Sequence, residues 1–424
     1  MDESRAWIGG NVAHVQQGDH TLRGMNVDIM YPDEAPPVSL VRDEKMRQLL
    51  DHISRQQDPT FKSVLVGALL RWINRSNVRR NRRADTEILW NNLGAFSDPL
   101  LPSDAIGNFS ELILGHLTGT GARHLYEVAT GQFSQMCTAM AFEVSQASEW
   151  HQQQLQGKLW SDQMFAMQSV QRQSNFGTAE FEISWPHGNV AILQKHYDEL
   201  VRLYSSLRLP MNQIIGRIFN MVQRYETINY LRTEHQPVLP SRAFDVLQQH
   251  FGVNHECFAS PLNRYLDNYC SQFPDTDRFF NSSGSFFDFF PTSGSFVAHP
   301  PPVQQDVIQM FVHIIGILQR STQPLSFFVF APIFDAFDPT RDSAAVPFMV
   351  RSVVVQRGKH MLSTGIYFRG TSSNQPLQEV RFLPNNDSGC YWLQNTAGRQ
   401  RWPVTDDRVS QILSSFDPTN TSIH

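Results

Sequence analysis

"HECFASPLNRYLDNYCSQFPDTD", residues 255–277, sets the pattern from which the fold of the carboxyl-terminal half is read. A short apolar run, "HECFAS", stops at the turn pair Ser260 and Pro261. A helix is expected over "LNRYLDNYCSQ", and a second turn follows with acids at Asp275 and Asp277. Short buried runs bounded by turns and separated by helical or loop segments are what a sheet covered by helices requires. The pattern continues through "SFFDFF", "GSFVA", "LSFFVFA", "FMVRSVVV" and "GCYWLQ". In open α/β sheets ligands bind outside the carboxyl ends of strands, where the strand order reverses. Ser260, Pro261, Asp275, Asp277, Asp288 and the run from His299 to Pro302 all fall at such ends. They are also the residue types of ordinary turns, so spacing alone leaves both readings open.

Working outward, residues 1–43 mix Gly, Asp and Pro without sustained periodicity and read as a loosely ordered arm. Residues 44–238 read as a mainly helical domain, from "EKMRQLLDHISRQ" through "FKSVLVGALLRWINR" to "MFAMQSVQRQ". Its Met stripe fits core filling better than a partner groove. Only "AEFEISWPHGNVAI" breaks the helical spacing, with β-like runs around a turn, before "LQKHYDELVRLYSSL" resumes it. The α/β domain is expected over 239–416, with a short tail at 417–424.

Composition sets bounds on partners. A chain of 424 residues with 41% hydrophobic content has room for two cores, and a net charge of −5 confines any nucleic-acid contact to a local patch. Cys137, Cys257, Cys270 and Cys390 have no paired spacing, so neither a disulfide framework nor a metal site is expected. No apolar run approaches the roughly 18 residues of a membrane span. The expectation is a soluble protein of the nucleus or cytosol.

The segment Leu239–Pro332, with "FGVNHECFASPLN", "QFPDTD", "SGSFVAHPPP" and "PLSFFVFAP", resembles the catalytic region of the phosphorylated-CTD-interacting factor family. The likeness continues more thinly through "RGKHMLSTG" and "GCYWLQNTAGRQRWPVTDDRVSQIL". The family includes cap-specific methyltransferases that modify N6 of 2′-O-methyladenosine. The resemblance therefore implies a Rossmann-like, doubly wound methyltransferase sheet behind a helical amino-terminal domain, with S-adenosylmethionine as methyl donor and capped RNA as substrate. It implies that Phe258, Ala259, Ser260, Pro261, Leu262, Asn263, Asp275, Asp277 and Asp288 lie beside the cofactor. RNA polymerase II or the mRNA-capping machinery become candidate partners, and the nucleus the expected location. The amino-terminal WW module of the family's animal members is not found: the tryptophans include no pair about 20 residues apart with the hairpin and proline signals it needs.

The catalytic motif departs from the family. Its Asn-Pro-Pro-Phe is replaced by His299, Pro300, Pro301 and Pro302. An exocyclic amine is a poor nucleophile until acceptors take its N–H bonds and aim its lone pair, which is positioning work. A neutral imidazole can accept through one nitrogen if the other carries the proton, whereas an imidazolium cannot accept at all. An aromatic fourth residue would stack on the base, worth about 1–3 kcal/mol by analogy with single-strand recognition. Pro302 lacks a π system, leaving that role to another residue, with Phe286–Phe290 as candidates. The alternative is a non-catalytic RNA- or protein-binding factor on the same fold.

A second cluster lies upstream. Arg71, Arg75, Arg79, Arg80, Arg82 and Arg83, with no acid among them, fit contacts to RNA phosphates. A solvated helix face or an import signal has the same composition. Trp72 and Trp90 are weaker candidates for stacking on a cap guanine, since tryptophans at helical spacing usually fill a core.

Overall fold

The computed structural model describes residues 36–84, 98–102, 106–115, 117, 120–154, 168–173, 179–185, 188–229, 237–335, 337–358, 362–364, 381–382, 384 and 386–417. The helical half holds α1 (Pro36–Ser54), α2 (Pro59–Ala84), α3 (Ile106–Leu114) and α4 (Thr120–Gln154), followed by β1 (Gln168–Gln173), β2 (Ala179–Trp185) and β3 (Gly188–Leu193). Then come α5 (Gln194–Ser206) and α6 (Ile214–Asn229). No helix among the described residues is long and apolar enough to cross a membrane.

Two local expectations change here. Helix α1 begins at Pro36, not at Glu44, because residues read as an arm are core: Val38, Ser39, Arg42 and Asp43 are all buried. Arg42 pairs with Asp98 at 2.8 Å, and Asp43 accepts the Thr227 hydroxyl at 2.6 Å. Proline is tolerated in a first helical turn, where its missing N–H has no partner to lose. "QSVQRQ", read as helical, is instead strand β1, antiparallel to β2 from Gln168–Ser184 to Gln173–Ala179. Pairing across the meander β1-β2-β3 overrides a weak local spacing.

The second half continues with β4 (Pro237–Val238), α7 (Ser241–Phe251), β5 (His255–Ala259), β6 (Asn268–Ser271), α8 (Pro274–Asp277), β7 (Gly294–Ala298), α9 (Gln304–Arg320) and β8 (Leu325–Pro332). It ends with β9 (Met349–Val355), β10 (Leu362–Thr364), β11 (Arg381–Phe382), β12 (Ser388–Gln394), α10 (Thr396–Arg401) and α11 (Asp406–Ser415). Six strands form one mixed sheet in the order β6-β5-β7-β8-β12-β9. β6, β5, β7 and β8 run parallel, and β12 is antiparallel to both its neighbours. The expected α/β class is borne out.

Strand β8 lies inside the sheet, and seven of its eight residues are buried, which is why it reads as one apolar run. Side chains alternate between two cores. Phe296, Ala298, Phe327 and Val329 join the core that α9 covers through Met310, Phe311 and Ile314. Val297, Phe328 and Phe330 join the core that α7 and α11 cover through Phe244, Leu247 and Ile412. Gly252 ends α7 at φ 62°, a left-handed cap, and the Val253 N–H returns to the Leu247 carbonyl.

"LNRYLDNYCSQ" is not a helix. Its first part is a turn and its second is β6, which pairs in parallel with β5. The backbone N–H groups of Tyr265 and Leu266, which a helix would hold, donate instead to the Glu256 carboxylate, each at 2.6 Å. "SFFDFF" is likewise no strand but a single 3-10 turn, Phe286–Asp288.

The two halves share a core. Leu262, Phe273, Phe279 and Phe280 pack with Ile218, Phe219 and Tyr225 of α6.

Candidate functional site

The strand order reverses between β5 and β7, with β6 outside one and β8 outside the other. That reversal is where an open sheet leaves a crevice at its carboxyl edge. A shallow, half-open cleft lies there. Glu256 and Val297, register partners on β5 and β7, line it together with Asn263 and His299 just beyond the strand ends. Leu239 and Phe244 contribute the wall from α7 and the residues before it. The Phe244 ring is backed by Tyr265, stacked at 4.8 Å between centroids.

The turn after β5 is closed by its own side chains. Asn263 Oδ1 accepts from the Ser260 N–H at 2.6 Å and from the Ser260 hydroxyl at 2.8 Å. Ser260 Oγ in return accepts from the N–H groups of Leu262 and Asn263 at 3.3 and 3.2 Å. Ser260, Pro261 and Leu262 are buried, while Phe258, Ala259 and Asn263 stay half-buried. Ser260 and Pro261 therefore act as shape, and the turn contributes Phe258 and Asn263 to the cleft lining.

Glu256 is the functional candidate that sequence spacing missed. It is an acid in a buried strand, and burial pushes its carboxyl up to about 7, against the two backbone N–H donors that hold it down. An ionisable residue inside an otherwise apolar run was the signal that could have found it.

His299 follows β7 directly, and its Nδ1 lies 2.9 Å from the Phe330 carbonyl oxygen of the neighbouring strand β8. A carbonyl only accepts, so Nδ1 carries the proton and the acceptor lone pair of the neutral ring is on Nε2. Pro300 is buried, Pro301 half-buried and Pro302 exposed at the loop's outer side. The Val303 N–H donates to the Pro301 carbonyl at 2.7 Å, which tightens the loop after β7.

The acids after β6 face the helical half. Asp275 pairs with the buried Arg224 of α6 at 3.0 Å. Asp277 is fully buried and accepts from the Tyr225 hydroxyl at 2.6 Å and from Thr276 Oγ1 at 2.9 Å. Burial raises its carboxyl to about 7 despite those donors. Asp277 and half-buried Asp275 thus serve the joint between the halves, and neither lines the cleft. Asp288 closes the 3-10 turn, half-buried, and its charge helps raise the buried Cys270 thiol, after burial itself.

Of the aromatic candidates, Phe286 and Phe287 pack on Phe258, at 5.1 and 6.0 Å, and edge-on against His313 of α9. They belong to the α9-covered core, so the aromatic lining of the cleft comes from Phe244 and Phe258 instead. No group of three His, Cys, Asp or Glu suited to a metal occurs among the described residues.

All six candidate arginines fall within the span of α2. Arg71 is half-buried, and the side chains of Arg75, Arg79, Arg80, Arg82 and Arg83 lie outside the described residues, as does Trp90. Trp72 is 5% exposed in the helical core, which removes it as a cap platform.

A family model described as the Phosphorylated CTD interacting factor 1 WW domain matches residues 193–365. That span contains no tryptophan and runs from α5 to β10, through helices and most of the parallel sheet. Relatives from Homo sapiens and Mus musculus, each named mRNA (2'-O-methyladenosine-N(6)-)-methyltransferase, are 33% identical over 244 and 218 residues, or 55% and 50% of this chain. The chain spans 34% and 30% of their lengths. The resemblance read from the motifs is borne out.

Proposed function

We propose that this chain, which belongs with the phosphorylated-CTD-interacting factors over residues 193–365, transfers a methyl group to N6 of 2′-O-methyladenosine next to the mRNA cap. The observation that carries the reading is the placement of His299 and Asn263, from the two family motifs, on one cleft at the strand-order reversal. The doubly wound order around β5 and β7 supports the finer expectation of a Rossmann-like methyltransferase sheet.

The donor set suits S-adenosylmethionine. A self-closed turn from Phe258 to Asn263 gives a rigid edge, and the buried Glu256 carboxyl and the Asn263 amide line the cleft beside it, polar groups that suit a ligand with hydroxyl and ammonium donors. When bound, the cofactor supplies an electrophilic methyl on a sulfonium. Residues of the chain do the positioning: His299 Nε2 accepts one N–H of the amine and the Pro300 carbonyl the other, so the nitrogen lone pair turns out of the ring plane. Phe244 and Leu239 give the base an apolar wall that keeps water from the amine. The arginines of α2 hold phosphates of the capped strand. The reading implies work in the nucleus, near RNA polymerase II or the capping machinery.

The test is tritiated methyl transfer to RNA capped before 2′-O-methyladenosine, paired with calorimetry of S-adenosylmethionine and its demethylated product. Cofactor heat and label on the first nucleotide are expected. Cofactor binding without transfer would leave a binding protein on a methyltransferase fold.

A further inference from the structure

We infer that Tyr265 is a positioning residue for the cleft, holding the Glu256 carboxyl with its backbone and the Phe244 ring with its side chain. The inference rests on the proposed reading of the cleft as the methyl-donor site, and it adds a residue that does not itself line the cleft. Tyr265 stands between β5 and β6. Its N–H and that of Leu266 both donate to Glu256 Oε1, at 2.6 Å each. Two donors on one oxygen fix the rotation of the carboxyl, and with it the direction of Oε2, the oxygen left for a ligand. The Tyr265 ring lies face to face with Phe244 of α7, 4.8 Å between centroids and 14° from parallel. Its hydroxyl donates to Asp245 Oδ1 at 2.6 Å, so the far end of the ring is held by the residue next to the one it stacks on.

Glu256 and Phe244 are lining groups from different elements, β5 and α7, and this one residue registers them to each other. Tyr265 is 41% exposed, so its ring does not serve to fill a core. An aliphatic side chain would cover Phe244 as well, but it has neither a flat face to set the tilt of that ring nor a hydroxyl for Asp245. The preceding residue is tied elsewhere: Arg264 bonds Glu199 of α5 at 2.9 Å and Asp267 at 3.0 Å. The turn is thus gripped by the helical half through Arg264 and by α7 through Tyr265. Burial raises the Glu256 carboxyl to about 7, opposed by the Leu266 and Tyr265 N–H groups and by the Arg264 charge. Weakening a donor with burial kept therefore raises it further, whereas opening the site to water lowers it toward 4.5. The direction separates lost positioning from a general loosening.

Carbon-13 NMR of the full chain labelled at its glutamate carboxyls tests this, with Glu256→Gln assigning the resonance by its loss. The variants are Tyr265→Leu, which keeps volume without a flat face or hydroxyl, and Tyr265→Phe, which keeps the face. In Tyr265→Leu the Glu256 titration should move up by about half a unit, as a weakened backbone donor gives. In Tyr265→Phe it should stay close to the natural protein's. Calorimetry with the demethylated product of S-adenosylmethionine reads the same variants. Tyr265→Leu should bind it about tenfold more weakly, the upper worth of one aromatic pair, and Tyr265→Phe within about threefold of the natural protein. A Glu256 titration unmoved or lowered in Tyr265→Leu, an unchanged affinity in that variant, or a Tyr265→Phe no better than Tyr265→Leu each overturns the inference. The titration shift without product heat from the natural protein removes the methyl-donor reading alone. Product heat without that shift removes this inference alone.

Discussion

Tyr225, on α6 of the helical half, donates its hydroxyl to the Asp277 carboxylate at the start of the α/β half, across 2.6 Å and with both residues buried. One turn of helix thus reads two acids, since the preceding Arg224 holds Asp275. The "FPDTD" stretch is a joint as well as a strand end. Tyr225→Phe keeps the ring, which lies edge-on to Phe273 at 5.3 Å, and removes only the donor. Leaving a buried carboxylate short of one bond should cost about 1–3 kcal/mol, read as a lower urea midpoint. A midpoint within error of the natural protein's would show that the joint does not depend on this bond.

Glu256 gives a prediction in pH. Its folded carboxyl is raised to about 7 from an ordinary 4.5 by burial, so the native state keeps a proton that the unfolded chain loses between those values. Its contribution to stability is fully present below about 4.5 and is lost as pH rises through about 7. Asp277 runs in the same direction, while His255, lowered to about 4 by burial, adds stability as pH rises from that value, so the whole-protein profile does not isolate Glu256. Glu256→Gln does, because an amide oxygen can still accept from Tyr265 and Leu266 without ionising. The variant should gain on the natural protein by about 2–3 kcal/mol between pH 5 and pH 8. A stability difference that stays constant over that range sinks the prediction.

The arginines of α2 predict a salt dependence. If Arg79, Arg80, Arg82 and Arg83 hold phosphates, their joint change to Ala flattens the log–log plot of RNA affinity against salt by about one unit for each phosphate no longer neutralised. An unchanged slope returns the run to a solvated face or an import signal.

What the sequence made legible follows from physical scale. Strands β5, β7, β8 and β12 announced themselves as buried apolar runs, because both sheet faces are covered, whereas the edge strand β9 is half-exposed and showed itself only by its β-branched composition. β6 did not: "NYCS" is short, its first residue is exposed, and only its neighbour β5 makes it a strand. The turn at Ser260 and the loop at His299 were found through the family motif. Glu256 was passed over because its partners, two backbone N–H groups, have no sequence signature. The Phe330 carbonyl is invisible for the same reason, since any residue at that position would present one. Phe244 could not be chosen over Phe286–Phe290 until the two faces of the sheet were assigned.

The final prediction concerns the altered motif. If His299 takes the place of the family's Asn, His299→Ala should abolish methyl transfer while leaving cofactor binding unchanged, because the turn from Phe258 to Asn263 closes on itself without His299. His299→Asn should keep an acceptor for the amine. Pro302 is exposed, so an aromatic ring there would meet no packed neighbour. Pro302→Phe should therefore add stacking of about 1–3 kcal/mol, seen as tighter binding of capped RNA. The double variant His299→Asn, Pro302→Phe is expected to exceed the natural protein in tritiated methyl transfer to capped, 2′-O-methylated adenosine RNA. If natural protein and His299→Ala are equally silent while the double variant gains activity, these two positions are the whole of a catalytic defect. Equal activity in natural protein and His299→Ala would mean that the amine binds away from His299, and the assignment of the cleft would fall with it.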